Sequence, residues 1–245
     1  MDPREYEIMY GVEDNHWWYG GMAAVTRTIL DRWYRPACGL HILDAGCGTG
    51  AAMSTYLAGY GTVTGIDLYP LALDFCRKRN VPRLACASVS DLPFASAKFD
   101  LVTSFDVLYE CAVPSDIAAL REFARVLVPG GRVLLRLPAY DWLRGQHDKM
   151  VHTNRRYTTG LIASMIRESG LIVEHLSYAN TFLFPLAALK RLGERIFPPK
   201  AESSDLALDA GLFNNILKHI LSSEAPLVAH TGLPFGLSVI AVGRK

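Results

Sequence analysis

Residues 43–50 read Leu-Asp-Ala-Gly-Cys-Gly-Thr-Gly, and no other segment constrains the fold of this chain as strongly. A short apolar run at 40–44 precedes the glycines and a helix-like stretch at 49–58 follows them. Strand, glycine turn and helix are the context in which a nucleotide-binding turn operates. Glycines let the backbone turn sharply and let a ligand approach without meeting a Cβ. The spacing is G-x-G-x-G, with Asp44 two residues before Gly46. A dinucleotide turn is G-x-G-x-x-G and keeps its helix N-terminus free for a pyrophosphate. A carboxylate beside the turn repels a pyrophosphate but pairs with an amino group, so the ligand is expected to be cationic there.

The alternation continues along the chain. Apolar runs at 62–66, 99–105 and 131–137 are separated by helix-like stretches at 70–79 and 115–127. Such an order predicts a mostly parallel sheet covered on both faces. Pro114-Ser115-Asp116 supplies a polar helix start, and Pro129-Gly130-Gly131 turns the chain into a strand. After a polar loop at 139–157, a helix is expected at 158–169, a strand at 171–178 and a last strand near 235–243. Upstream, Met22, Val25, Ile29 and Trp33 predict an amphipathic helix over about 19–34, stopped by Pro36 and Gly39. Between the last two strands lie roughly fifty residues rich in Leu, Phe and Ala, too many for an ordinary connection.

Charge narrows the partners. The 245 residues carry 25 basic and 24 acidic side chains, a net +1 that disfavours a dedicated nucleic-acid binder. Cys38, Cys47, Cys76, Cys86 and Cys111 form no C-x-x-C pair and no zinc spacing, so no metal site is expected. The N-terminus lacks the basic-then-apolar order of a signal peptide, which with five thiols predicts a cytoplasmic protein. No apolar run approaches the roughly 18–20 residues that span a bilayer.

Val63-Thr64-Gly65-Ile66-Asp67 ends a second strand on a carboxylate, which can accept both hydroxyls of a ribose. The plainer reading is a solvated Asp in the turn before Leu68-Tyr69-Pro70. With the glycine turn and Asp67 in place, the sequence resembles the class I S-adenosylmethionine-dependent methyltransferases, and within them the methyltransferase type 11 group. The likeness rests on Asp44 to Gly50, Gly65-Ile66-Asp67, Ser88 to Phe94, Phe99 to Phe105 and Leu120 to Gly131. It implies a Rossmann-like, seven-stranded, mostly parallel sheet with helices on both faces. With the remaining segments it gives an N-terminal helical cap (1–36), a cofactor-binding core (37–178 and 232–245) and a helical insertion (179–231) before the last strand.

The resemblance also implies roles. Asp44 and the backbone of Gly46, Cys47, Gly48 and Gly50 would hold the methionine part of S-adenosylmethionine. Asp67 would hold the ribose, Leu68 would pack on the adenine, and Ser88, Val89 and Ser90 would lie by its edge. Phe105 and Asp106 would face the sulfonium and the acceptor. Methyl transfer is an in-line displacement in which the cofactor arrives activated and leaves as S-adenosylhomocysteine. The protein therefore aligns the reactants and removes a proton where needed.

Acceptor-side candidates are fewer. His16-Trp17-Trp18-Tyr19 either caps the cofactor and lines an acceptor pocket or anchors a helix, with His16 as a polar cap. Tyr6 and Tyr10 extend that aromatic run. His147, His152 and Tyr157 are candidate bases or acceptor contacts. Arg155 and Arg156 either bind an acidic acceptor or form a solvated pair, and Tyr109-Glu110 are candidates to line the pocket. The insertion, with Phe182 to Leu189 before Lys190-Arg191, reads as core packing, an acceptor lid, a homodimer face or a peripheral membrane contact. Its apolar character favours a small, fairly apolar acceptor. The other readings are a non-catalytic scaffold of this fold and an RNA or protein methyltransferase. A short-chain oxidoreductase is disfavoured because no tyrosine has Lys four residues on.

Overall fold

The computed structural model describes residues 3–145, 148, 153–196 and 211–245. The strands are β1 (Leu40–Ala45), β2 (Gly61–Asp67), β3 (Leu84–Cys86), β4 (Phe99–Phe105), β5 (Leu127–Pro138), β6 (Ile172–Ala179) and β7 (Ser238–Arg244). Among the described residues these seven form one sheet in the order β3-β2-β1-β4-β5-β7-β6. Pairing is parallel from β3 to β5, and β7 runs antiparallel between β5 and β6. The chain thus builds outward from β1 in one direction and from β4 in the other. Such a switch point opens a crevice at the carboxyl ends of the two strands.

The helices are α1 (Pro3–Val12), α2 (Trp17–Leu30), α3 (Ala51–Thr55), α4 (Pro70–Lys78), α5 (Asp116–Val126), α6 (Thr159–Glu168), α7 (Phe184–Ile196), α8 (Asn214–Ser223) and α9 (Ala225–His230). Neighbouring strand residues divide the core between the two faces of the sheet, as the two-residue pleat requires. Leu43, Val102 and Val133 point to one side and pack with Phe123 of α5 and Ile166 of α6. Ile42, Leu101 and Leu134 point to the other and pack with Met22 and Ile29 of α2, Leu221 of α8 and Val228 of α9. Both sides are dry, which is why these strands read as unbroken apolar runs.

Local chemistry sets the ends of the elements. Ser115 Oγ accepts from Ala118 N at the start of α5, and Thr158 Oγ1 accepts from Leu161 N at the start of α6. The helix expected over 19–34 begins earlier, at Trp17, and ends at Leu30. The stretch expected over 49–58 breaks into α3 and a 3-10 turn, Leu57–Gly59. β5 begins at Leu127, and its register with β4 shifts between Phe99 and Leu101 across the Pro129-Gly130-Gly131 segment. The edge strand β3, three residues long, coincides with none of the apolar runs.

The insertion is tied down at both ends. Buried Glu224 accepts from Thr181 N at 3.0 Å and Phe182 N at 2.6 Å, fixing the chain as it leaves β6. Asn214 Oδ1 accepts from Trp17 N at 2.8 Å while its Nδ2 donates to Asn15 O at 2.8 Å, fastening α8 to the start of α2.

Candidate functional site

Residues at the carboxyl ends of β1, β2, β4 and β5 line a cavity of about 1100 Å³. The glycine turn forms one wall. Gly46 has φ 85° and faces Val107, whose nearest methyl would lie 2.3 Å from a Cβ at this position, so no side chain fits. The amides of Gly46 and Cys47 donate to Ile66 O at 2.9 and 2.8 Å, tying the turn to β2.

Two buried carboxylates flank the turn. Thr103 Oγ1 donates to Asp44 Oδ1 at 2.7 Å. Burial nevertheless pushes the Asp44 carboxyl up to about 6, against the Thr103 hydrogen bond and the Arg136 charge. Asp67 Oδ2 accepts from Gly48 N at 3.0 Å, and Oδ1 accepts from Tyr69 N at 3.0 Å and Tyr6 Oη at 3.5 Å. Burial also raises the Asp67 carboxyl, against the Tyr69 and Gly48 amides. Leu68, Ser88 and Val89 continue this wall, whereas Ser90 lies off the cavity and donates its N–H to Ser88 Oγ at 3.2 Å. Gly50 is likewise behind the wall, packed on Cys76.

At the end of β4 the chain passes from Phe105 to Asp106, which adopts φ 58°. Asp106 Oδ2 accepts from Arg136 Nε at 2.7 Å. The Arg136 guanidinium lies 4.7 Å from the Trp18 ring and 4.9 Å from the Phe105 ring. Periodicity did not single out Arg136. Its signal is a lone charge in the run Leu134-Leu135-Arg136-Leu137, beside Phe105 in the sheet register.

The N-terminal segment covers this end of the cavity. Tyr6 and Met9 of α1 line it, as do His16, Trp17, Trp18 and Tyr19. His16 also caps α2, its Nδ1 accepting from Trp18 N at 3.3 Å. Thr49 Oγ1 donates to buried Glu13, which pairs with Arg79 at 2.8 Å. Tyr10 instead packs outward on Phe75, 4.8 Å between centroids. Tyr109 and Glu110 line the cavity beyond Asp106. Burial drives the Tyr19 and Tyr109 hydroxyls well above the usual tyrosine range and pushes the Glu110 carboxyl up to about 7, with the Asp67 charge adding to it.

The loop after β5 and α7 with the residues before it add Leu143, Leu183, Leu186 and Ala187 to the lining, together with Lys190 and Arg191. Of the candidates in the loop after β5, Arg156 reaches the cavity and donates two hydrogen bonds to buried Asp148, at 2.8 and 3.0 Å. Arg155 turns away and pairs with Asp116 at 3.1 Å. The structure also keeps Tyr157 from the cavity: it is fully buried and donates to Asp116 Oδ2 at 3.1 Å. His147 and His152 lie outside the described residues.

A family model described as a methyltransferase domain matches residues 43–135, the segment that carries the glycine turn, Asp67 and the β4 edge. Residues of this chain are 40% identical over 101 positions to a malonyl-[acyl-carrier protein] O-methyltransferase of Erwinia pyrifoliae, covering 41% of this chain and 38% of that protein. A ubiquinone/menaquinone biosynthesis C-methyltransferase of Paracoccus denitrificans is 30% identical over 187 residues, 62% of this chain and 74% of that protein. The chain belongs to the S-adenosylmethionine-dependent methyltransferase family. A solved S-adenosylmethionine-dependent methyltransferase from Mesorhizobium loti shares the family fold, with a TM-score of 0.59 at 16% identity, over 95% of this chain and 100% of that one. This methyltransferase chain spans less than half the length of the first four curated relatives it matches. Among its described residues no helix is long and apolar enough to cross a membrane.

Proposed function

We propose that this chain transfers a methyl group from S-adenosylmethionine to a small, fairly apolar acceptor, leaving S-adenosylhomocysteine. The observation that carries this reading is one cavity that holds two buried carboxylates beside a glycine turn and is also lined by the apolar side chains of Leu143, Leu183 and Leu186. The donor set suits the cofactor. Thr103 engages one oxygen of Asp44, which leaves the other for an ammonium. Asp67, held by two backbone amides, accepts ribose hydroxyls. Leu68 would pack on the base, with Ser88 and Val89 by its edge.

When bound, the cofactor supplies an activated methyl on a sulfonium. The chain's own work is alignment and the exclusion of water. Phe105 and Trp18 line that end of the cavity with the Arg136 guanidinium over their rings, and Asp106 neutralises Arg136 there. Trp17, Tyr19 and Tyr109 bound the acceptor, whose apolar part meets Leu143, Leu183 and Leu186 of the loop after β5 and the insertion. Glu110, which lines the cavity beside Tyr109 and whose carboxyl is raised by burial and the Asp67 charge, is the group we propose for an acceptor that bears a proton. The chain's five cysteines, with no C-x-x-C pair among them, suit a reducing cytoplasm.

Calorimetric titration with S-adenosylhomocysteine tests the reading. One-to-one binding in the micromolar range is expected, and no heat at high micromolar ligand overturns it.

A further inference from the structure

Six cationic side chains line the cavity among the described residues: Arg27, Arg136, Arg156, Lys190, Arg191 and Lys218. Arg136, Arg156 and Arg27 have their guanidinium groups engaged, and Lys190 and Arg191 have interactions of their own. Arg136 donates to Asp106, Arg156 donates two hydrogen bonds to Asp148, and Arg27 donates to Thr55 O at 3.2 Å while lying over the Tyr56 ring. Arg191 lies against Gly145 in the loop after β5, and Lys190 precedes it on α7. Lys218 differs from all of these. No described carboxylate pairs with it, and it stands on the wall made by α2 and the residues that follow the glycine turn, with Gly20, Ala23, Ala24, Ala51 and Ala52.

The packing of α8 on α2 sets this position. Asn214, Lys218 and Leu221 fall on one face of α8, at four- and three-residue steps. Asn214 fastens one end to the start of α2. Leu221 enters the space at Gly21, where a Cβ would lie 2.6 Å from its Cγ. Between them the Lys218 chain lies across Gly20, its Cε 2.7 Å and its Nζ 3.2 Å from where a Cβ would be. Any side chain at position 20 would meet the lysine.

We propose that Lys218, carried by the insertion, binds the carboxylate at the amino-acid end of the cofactor. The proposal rests on reading the cavity as an S-adenosylmethionine site. That end of the ligand is a zwitterion: Asp44 answers its ammonium, and its carboxylate needs a cation on the neighbouring wall. An ammonium on a flexible stem, free of a carboxylate partner, meets that need.

The test compares two ligands that share a nucleoside and a thioether. S-adenosylhomocysteine has the amino-acid end, and 5′-methylthioadenosine lacks it. In calorimetric titrations, Lys218→Met is expected to weaken S-adenosylhomocysteine by about 10- to 100-fold, the loss of one charge-assisted contact, and to leave 5′-methylthioadenosine unchanged. Lys218→Arg is expected to restore most of the affinity. Equal weakening of both ligands, or unchanged S-adenosylhomocysteine binding in Lys218→Met, overturns the proposal. Wild-type protein that binds neither ligand overturns the cofactor reading beneath it. Unchanged 5′-methylthioadenosine binding by the variant also reports that it has folded.

Discussion

Arg136 Nε lies 2.7 Å from Asp106 Oδ2, and the two residues come from the ends of adjacent strands, where Phe105 pairs with Arg136. Each holds the other at the floor of the cavity. The Arg136 side chain is 10% exposed and that of Asp106 22%. Breaking such a pair from one side strands the remaining charge. Arg136→Met is expected to lower stability by about 3 kcal/mol, and Arg136→Met with Asp106→Asn to recover part of it. Urea unfolding of the single and double variants measures both. An unshifted midpoint in the single variant would remove the pair from the account of the fold.

Asp44 gives the stability a pH dependence of unusual sign. The folded carboxyl keeps its proton up to about pH 6, while an unfolded aspartate loses it near its ordinary, lower value. Between those values the native state binds more protons, so stability falls as pH rises and then levels above about 6. Asp44→Asn should remove this fall and stabilise the ligand-free protein at pH 7 by about 2–3 kcal/mol at most. The ammonium of the ligand favours the ionised form, so wild-type affinity should rise with pH up to about 6 and then flatten. In Asp44→Asn affinity should be weak and flat. Titrations across this range check it, and a parallel pH dependence in the variant would refute it.

Asp67→Ala should weaken S-adenosylhomocysteine by about 1.5–3 kcal/mol, with Asp67→Asn in between. The same comparison with 5′-methylthioadenosine should show a similar loss, because that ligand keeps the ribose. An unchanged dissociation constant would take Asp67 out of the site.

Arg79 holds α1 in place through Glu13 at 2.8 Å and Asp14 at 2.9 Å. Its replacement by Ala should leave the fold of the sheet intact while lowering amide-exchange protection across α1 by about 100-fold, the effect of a lost partly buried pair. Exchange mass spectrometry of peptides from α1 and from β4 separates this from general loosening. Equal protection in wild type and variant would show that Arg79 is not the latch.

Glu110 offers the last test. If it takes the acceptor proton, turnover should rise with pH through about 7 to a plateau. Glu110→Gln should run about 100-fold slower without that inflection. A variant with the wild-type profile would exclude the role.

The glycine turn, Asp44 and Asp67 were legible in the sequence because their chemistry needs residue types at fixed offsets from a strand. Boundaries set by local chemistry, such as Ser115 at the start of α5, were equally readable. β3 was not, since Leu84-Ala85-Cys86 is too short to show a period. Long-range pairing was also hidden. Nothing near Tyr157 in the sequence announces that Asp116 takes its hydroxyl, and that contact removes it from the acceptor side. Arg136 escaped because a charge inside an apolar run looks like noise until its strand neighbour is known.

Ala179 and Ser238 are neighbours across β6 and β7. The backbone therefore leaves the sheet and returns to it at one doorway, as it would for a tight hairpin. Length can change beyond that doorway without moving any strand register, because closing a longer excursion costs little extra entropy, but Leu221 of α8 and Val228 of α9 must stay to cover the sheet. The segment could be exchanged as a cassette only with the apolar face of α8 and α9 retained. A transplanted cassette should bring a new acceptor preference with it, but one lacking the Asn214 clasp and the Lys218 side chain should also disturb how the common cofactor is held.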